Sequence, residues 1–249
     1  MTPRILLAAV FLLAAPSAQA ALKPGDFVTQ GPATGKRIAL TFDDGPGPHT
    51  DQYIALLDKY HAKATFFMLA EQVGYRPKVA KEIQEKGHEV ASHTFNHTNY
   101  LQKYRANAKK HPGTPEGAAK AAAETKAQLV ADMKKSRDII EKATGVNMTL
   151  LRMPHGIDRP WVKEAARETG FVLVNWTYGG DWLTTPEPEL EKGYLKAIKP
   201  GAILLLHDGG TKREKSLRLT EAVLKSAQEQ GYEIILLSDL LGVSDNAKK

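Results

Sequence analysis

The sequence predicts a one-domain α/β protein built on a mostly parallel sheet. Three observations point there. Seven short apolar segments are spaced along the chain, stretches of helical period separate them, and ionisable side chains recur at the segments' carboxyl ends. Such alternation calls for right-handed crossovers, in a sheet either closed as a barrel or open and doubly wound.

The strands are expected at residues 38–42, 64–69, 89–92, 149–152, 171–175, 202–206 and 233–237. Between them, Tyr53, Leu56, Leu57 and Tyr60 recur at helical spacing, as do Val162, Ala165 and Ala166, then Leu219, Val223, Leu224 and Ala227. The stretch 98–145 breaks the rhythm between the third and fourth strands. It opens as a polar loop through His111-Pro112-Gly113 and continues into an Ala/Lys-rich helix over 116–142 that stops before Gly145. Leu129, Met133, Ile139 and Ile140 give the second half of that helix a face to bury. The loop reads as a surface insertion close to the face that carries the ionisable residues, with a plain spacer as the alternative.

The first twenty residues read as an export signal, with Arg4 as the positive end, an apolar run over 5–15, and Ala18-Gln19-Ala20 as the cleavage site. That run is too short to span a bilayer, and no later one approaches the roughly 20 apolar residues required, so a soluble, periplasmic or secreted protein without a stable membrane anchor is expected. Cleavage after Ala20 would leave 229 of the 249 residues, enough for one substantial core. The formal charge of +6 falls to +5 when Arg4 is removed. Lys and Arg are scattered rather than clustered, and no nucleic-acid motif accompanies them, so a nucleic-acid partner is not expected. Weak attraction to an anionic polymer fits the balance. There is no cysteine, so any bound metal must be held by His, Asp or Glu.

Two stretches carry the chemistry. Thr41-Phe42-Asp43-Asp44-Gly45 closes the first apolar segment, and His93-Thr94-Phe95-Asn96-His97 follows the third. Asp44, His93 and His97 would supply one hard oxygen and two imidazole nitrogens, three ligands that leave a divalent ion open to water. The four-residue step between the histidines would put both on one side of a helical turn. Asp43, next to a ligand but not needed as one, is placed to take a proton from water. Zinc is the expected ion, and the donor set also suits cobalt or nickel. Arg152 and His207 end further strands and Asp181 trails another, so all these groups share one face of an α/β barrel. His49, His61, His88 and His111 lack such company and read as surface or core residues.

Five stretches in order resemble the polysaccharide deacetylase family, the NodB-homology or carbohydrate esterase family 4 domain, over 36–241. They are the two above, then Arg152-Met153-Pro154-His155-Gly156, a stretch ending in Asp181-Trp182, and Leu205-Leu206-His207. The resemblance implies a distorted (β/α) barrel of about seven parallel strands. It also implies divalent-metal-dependent removal of acetyl groups from sugars. By position, Asp43 resembles the catalytic base and His207 the general acid. Asp44, His93 and His97 resemble the metal ligands, Arg152 the arginine that orients the base, and Asp181 the acid that partners the histidine. Trp182 and Leu205 resemble walls of the acetyl pocket, with core packing as their alternative, and the backbone N–H of His155 the oxyanion donor. Where the family often has an aromatic and an acidic residue, this chain has His155 and Tyr178, which bear on the sugar-facing surface. The expected substrate is an N-acetylated polysaccharide, with N-acetylglucosamine units of peptidoglycan first. Chitooligosaccharides, an exopolysaccharide and acetyl xylan follow, and a catalytically silent sugar-binding module is the contrasting reading.

Overall fold

The computed structural model describes residues 21–111 and 113–243. Residues 1–20, which carry the expected export signal, lie outside the described residues. The strands are β1 (Phe27–Val28), β2 (Arg37–Asp43), β3 (Thr65–Met68), β4 (Glu89–Ser92), β5 (Leu150–Leu151), β6 (Val172–Val174), β7 (Tyr178–Gly179), β8 (Ile203–His207) and β9 (Glu233–Ile234). Every pairing between them is parallel, in the order β1–β6–β5–β4–β3–β2–β8–β7, with β9 added beside the start of β2. The curled sheet is a distorted (β/α) barrel. Among the described residues no pairing joins β7 back to β1, so the ring is open there.

The helices are α1 (Thr50–Lys59), α2 (Ala70–Tyr75), α3 (Pro77–Glu85), α4 (Tyr100–Ala108), α5 (Pro115–Thr144), α6 (Pro160–Thr169), α7 (Glu187–Lys196), α8 (Glu214–Glu229) and α9 (Leu237–Leu241). The expected helix over 116–142 is α5, and its ends follow from local chemistry. Thr114 accepts a hydrogen bond from the Gly117 N–H, Pro115 fills the first position where no N–H is needed, and Gly145 closes it at φ 75°.

Period two sorts each strand between two cores. Ile38, Leu40 and Phe42 join Phe66, Met68, Leu204 and Leu206 in the large core under the helices. Ala39, Phe67, Ala91 and Ile203 face the other way, into the barrel, where Leu237, Leu240 and Leu241 of α9 close one end. The inward positions at the other end are Asp43, Leu205 and His207. The same alternation that builds the hydrophobic core therefore turns these three side chains into the barrel mouth.

Four expectations need correction. Among the described residues strands form at all seven expected places, and β1 and β7 add two residues each at the sheet edges, making nine. The segment 233–237 is a two-residue strand, and Leu237 already belongs to α9, whose first N–H groups are taken by Thr65 Oγ1 and the buried Glu89 carboxylate. The polar stretch after residue 98 is not all loop. Asn99 caps α4, which buries Tyr100 and Asn107 against α5 through the Asn107–Thr125 and Tyr100–Asp132 hydrogen bonds. The histidine pair is not carried on a helical turn. Thr94 and His97 both have positive φ, 70° and 61°, so an irregular turn brings the two imidazoles together.

Candidate active site

β2 delivers two carboxylates in different ways. Asp43 is the last residue of the strand and points inward, 2% exposed. Asp44 leaves the strand at φ 72°, a conformation uncommon for a residue with a Cβ, which rotates its carboxylate toward the turn after β4. Gly209 packs so closely on the Asp44 backbone that a Cβ there would collide with it, and the turn keeps its shape because that position is glycine.

His93, Asp44 and His97 converge. Asp44 Oδ1 lies 3.6 Å from Nε2 of each histidine, and one ligand atom from each residue falls within 4.8 Å of the others. His93 is buried, and its Nδ1 is 2.7 Å from the Arg152 carbonyl. A carbonyl only accepts, so Nδ1 carries the proton and Nε2 presents its lone pair to the cluster. Burial pushes the His93 pKa down to about 3, which keeps the imidazole neutral as a ligand must be. Asp44 Oδ1 is buried without a hydrogen-bond partner among the described residues. A buried, orphaned carboxylate oxygen facing two imidazole nitrogens is the donor set of a divalent cation site, and the residues fit one.

Behind the triad, Arg152 is fully buried. Its guanidinium donates to Asp43 Oδ1 (2.7 Å), Thr41 Oγ1 (2.9 Å), and the Asn175 (3.1 Å) and Val174 (3.2 Å) carbonyls, with its flat face 4.1 Å from the Phe67 ring. Arg152 therefore holds both Asp43 and the neighbouring strand ends. Burial raises the Asp43 pKa, and the Arg152 and His207 charges oppose that rise without cancelling it. The guanidinium favours the ionised carboxylate, but desolvation is larger, and a carboxylate with a raised pKa is a better base.

Across the cavity, His207 lies beside Asp43 because β2 and β8 pair in register at these two residues. Its Nδ1 is 2.8 Å from Asp181 Oδ1, and its backbone N–H donates to Asp181 Oδ2. Burial pulls the His207 pKa down, but the Asp181 carboxylate outweighs it and the net direction is up. Burial likewise pushes Asp181 up, while hydrogen bonds from His207 and Ser216 hold it below the ordinary value. Asp181 follows β7, the strand the sequence pattern did not show. Tyr194 anchors that loop: its hydroxyl accepts from the Gly180 and Asp181 N–H groups and donates to the Leu205 carbonyl.

Asp43, Asp44, His93, His97 and His207 open into a cavity of about 470 Å³, lined also by His155, Trp182 and Leu205, with Arg152 and Asp181 behind its wall. Trp182 stands edge-on to His207 at 5.2 Å between ring centres, and exposed His155, at φ 60°, sits 4.7 Å from the His97 ring. Tyr178 does not reach the cavity. Its ring packs edge-on against Tyr194 and over Gly193, so its place is behind the Asp181 loop. Sequence reasoning missed Met153, Trp176 and Arg213 in the lining. Trp176 follows an expected strand end directly, a signal that could have found it. Arg213 comes from the loop before α8 and meets Asp44 Oδ2 at 3.6 Å, which no local pattern announces. Asp208 was missed too. It is fully buried, accepts from Thr50 Oγ1 at 2.5 Å, and ties the loop after Asp44 to β8, and burial pushes its pKa up to about 7.

Comparison with known proteins agrees with this geometry. The family model described as polysaccharide deacetylase matches residues 30–174. A peptidoglycan-N-acetylglucosamine deacetylase of Bacillus cereus is 32% identical over 225 residues, covering 88% of this chain and 95% of its own. A chitooligosaccharide deacetylase of a Bradyrhizobium species is 29% identical over 224 residues, covering 84% and 93%. The crystal structure of a peptidoglycan N-acetylglucosamine deacetylase bound to a naphthyl benzamide has a TM-score of 0.72 and 24% identity, over 88% of this chain and 94% of that one, and speaks for the fold.

Proposed function

The chain belongs to the polysaccharide deacetylase family, and from that premise we propose that it is a metal-dependent N-deacetylase of N-acetylglucosamine units in peptidoglycan. One observation carries the reading. An orphaned Asp44 oxygen faces two histidines in a cavity that also holds an arginine-bound carboxylate and, in register with it, an aspartate-bound histidine.

A divalent ion would be held by Asp44, His93 and His97, and would supply Lewis acidity to the acetamide carbonyl and to a water, whose pKa it would lower toward neutrality. Zinc is the proposed ion. Asp43, held by Arg152, takes the proton from the attacking water. His207 gives its proton to the departing amine, which leaves poorly as an anion, and Asp181 keeps the imidazole oriented and charged for that step. The backbone N–H of His155 is assigned to the developing oxyanion. Trp182 and Leu205 wall the place of the acetyl methyl. Acetate and a free glucosamine amine are the products. The reading of residues 1–20 as an export signal supports action on a wall polymer outside the cytoplasm.

The Bradyrhizobium relative favours a second reading, deacetylation of chitooligosaccharides. Acetate release from acetylated muropeptides, chitooligomers and acetyl xylan, compared side by side, ranks the substrates. The fastest turnover is expected on muropeptides. Release from xylan alone, or from none, overturns the proposal.

A further inference from the structure

A second groove of about 360 Å³ adjoins the first, with Asp44 and His97 as their shared wall. Its own lining is Pro48, Leu69, Gln72, Arg76, Gly210 and Thr211. A polymer centred on the metal triad therefore reaches it, and its volume is at the small end of the about 300–1,000 Å³ of ligand pockets. Pro48 and Leu69 offer an apolar side, while Gln72, Arg76 and Thr211 offer polar groups.

Arg76 sets the groove's chemistry. It stands between α2 and α3, half-buried, and its side chain meets Gln72 Oε1 at 3.4 Å. Among the described residues it has no ion-pair partner, a state it shares with Arg37, Arg105, Arg159 and Arg167, but of these five only Arg76 lines the groove that shares Asp44 and His97 with the cavity. Asp44 is the groove's only carboxylate, and it faces the two histidines of the metal triad. What remains is a guanidinium fork without an anion, in a groove continuous with the reacting centre. Such a fork is matched by a carboxylate, bound through two parallel N–H donors, and a neutral sugar offers it no equivalent.

We infer that this groove is a subsite for a carboxylate on the sugar unit beside the one being deacetylated, with Arg76 as its specificity-determining residue. The inference rests on the proposed deacetylase function. An acidic ether on the neighbouring sugar, or the peptide attached to it, would supply the carboxylate.

The test measures binding first. In the Asp43→Asn variant, which should hold substrate without turning it over, calorimetry compares four tetrasaccharides. They are an all-N-acetylglucosamine oligomer, an alternating N-acetylglucosamine/N-acetylmuramic acid oligomer, its methyl ester, and the same oligomer carrying stem peptide. Adding Arg76→Gln should weaken the free-acid oligomer about tenfold, the value of one charge-assisted contact, and leave the neutral oligomer and the ester within about twofold. A loss confined to the peptide-bearing oligomer assigns the carboxylate to the peptide. Equal losses on all four, or equal affinity of the Arg76 protein for the neutral, acid, ester and peptide-bearing oligomers, overturn the inference. Salt offers a measurement without the variant, since the acid-over-neutral preference should shrink as ionic strength rises from 0.05 to about 0.5 M. With Asp43 restored, the KM for acetate release should follow the same order. Absence of acetate from every oligomer would overturn the deacetylase reading, whereas turnover of all of them without an Arg76 preference would overturn the subsite alone.

Discussion

Replacing Arg152 by Met removes one partner of a fully buried ion pair and leaves the other in place. The guanidinium makes four hydrogen bonds, one of them to Asp43 at 2.7 Å, and no water reaches it. Thr41 Oγ1 still has the Leu204 carbonyl, so the cost concentrates on Asp43 and on the carbonyls of Val174 and Asn175. Breaking such a pair costs about 3–5 kcal/mol, a large share of the about 5–15 kcal/mol by which a domain is stable. Equilibrium urea unfolding, followed by far-ultraviolet circular dichroism in the presence of chelator, reads the loss as a lower midpoint at unchanged slope. The double variant Arg152→Met/Asp43→Leu, which leaves no buried charge behind, should recover most of that stability and stay inactive. A single variant that loses under about 1 kcal/mol, or a double variant no more stable than the single, would refute the assignment of Arg152 as the buried counter-charge of Asp43.

Three further outcomes follow from the site. Asp43→Asn should abolish acetate release while metal content by mass spectrometry stays at wild-type level; loss of the metal instead would mean that Asp43 is a ligand. Saturating the site at a hundredfold excess of zinc over Kd should add about 2.7 kcal/mol, a Tm rise of about 5–10 °C, and the rise should vanish in His97→Ala. The pH profile of kcat/KM should be a bell. Its acid limb lies above the ordinary carboxylate value because Asp43 must be ionised and its pKa is raised. Its alkaline limb lies above that of a free imidazole because His207 must be protonated and its pKa is raised too. Asp181→Asn removes the charge that raises His207, so the alkaline limb should move to lower pH, while an unmoved limb would separate His207 from that proton.

The legible part of the fold was the part written in side-chain period. Strands such as β2 and β8 are short, nearly continuous apolar runs bounded by polar residues, and α5 has a cap, a proline and a terminal glycine, so each could be placed from local pattern. β1 and β7 have two residues each and exist because neighbours pair with them, which no local pattern encodes. α4 hides because its inward face is built from Tyr100 and Asn107, polar-tipped side chains that reach α5 through Asp132 and Thr125 rather than an apolar stripe. The same division runs through the site. Asp43, Asp44, His93, His97, Arg152, Asp181 and His207 stand in motifs at or near strand ends. Arg76, Arg213 and Asp208 gain their surroundings from loops that meet only in the folded chain. Tyr178 marks the converse, a residue placed at the substrate by motif position whose ring turns to Tyr194 instead.

The pairing of β2 with β8 joins residues 43 and 207, so the proposed proton acceptor and the proposed proton donor are separated by most of the chain's synthesis. Non-local strand pairing is a slow step, because a long loop must close before the contact rewards it. A chain that has formed its metal triad from residues 44, 93 and 97 would still lack its acid. Recovery of turnover after dilution from denaturant should therefore lag recovery of metal binding, making catalysis itself a clock for the last strand to dock.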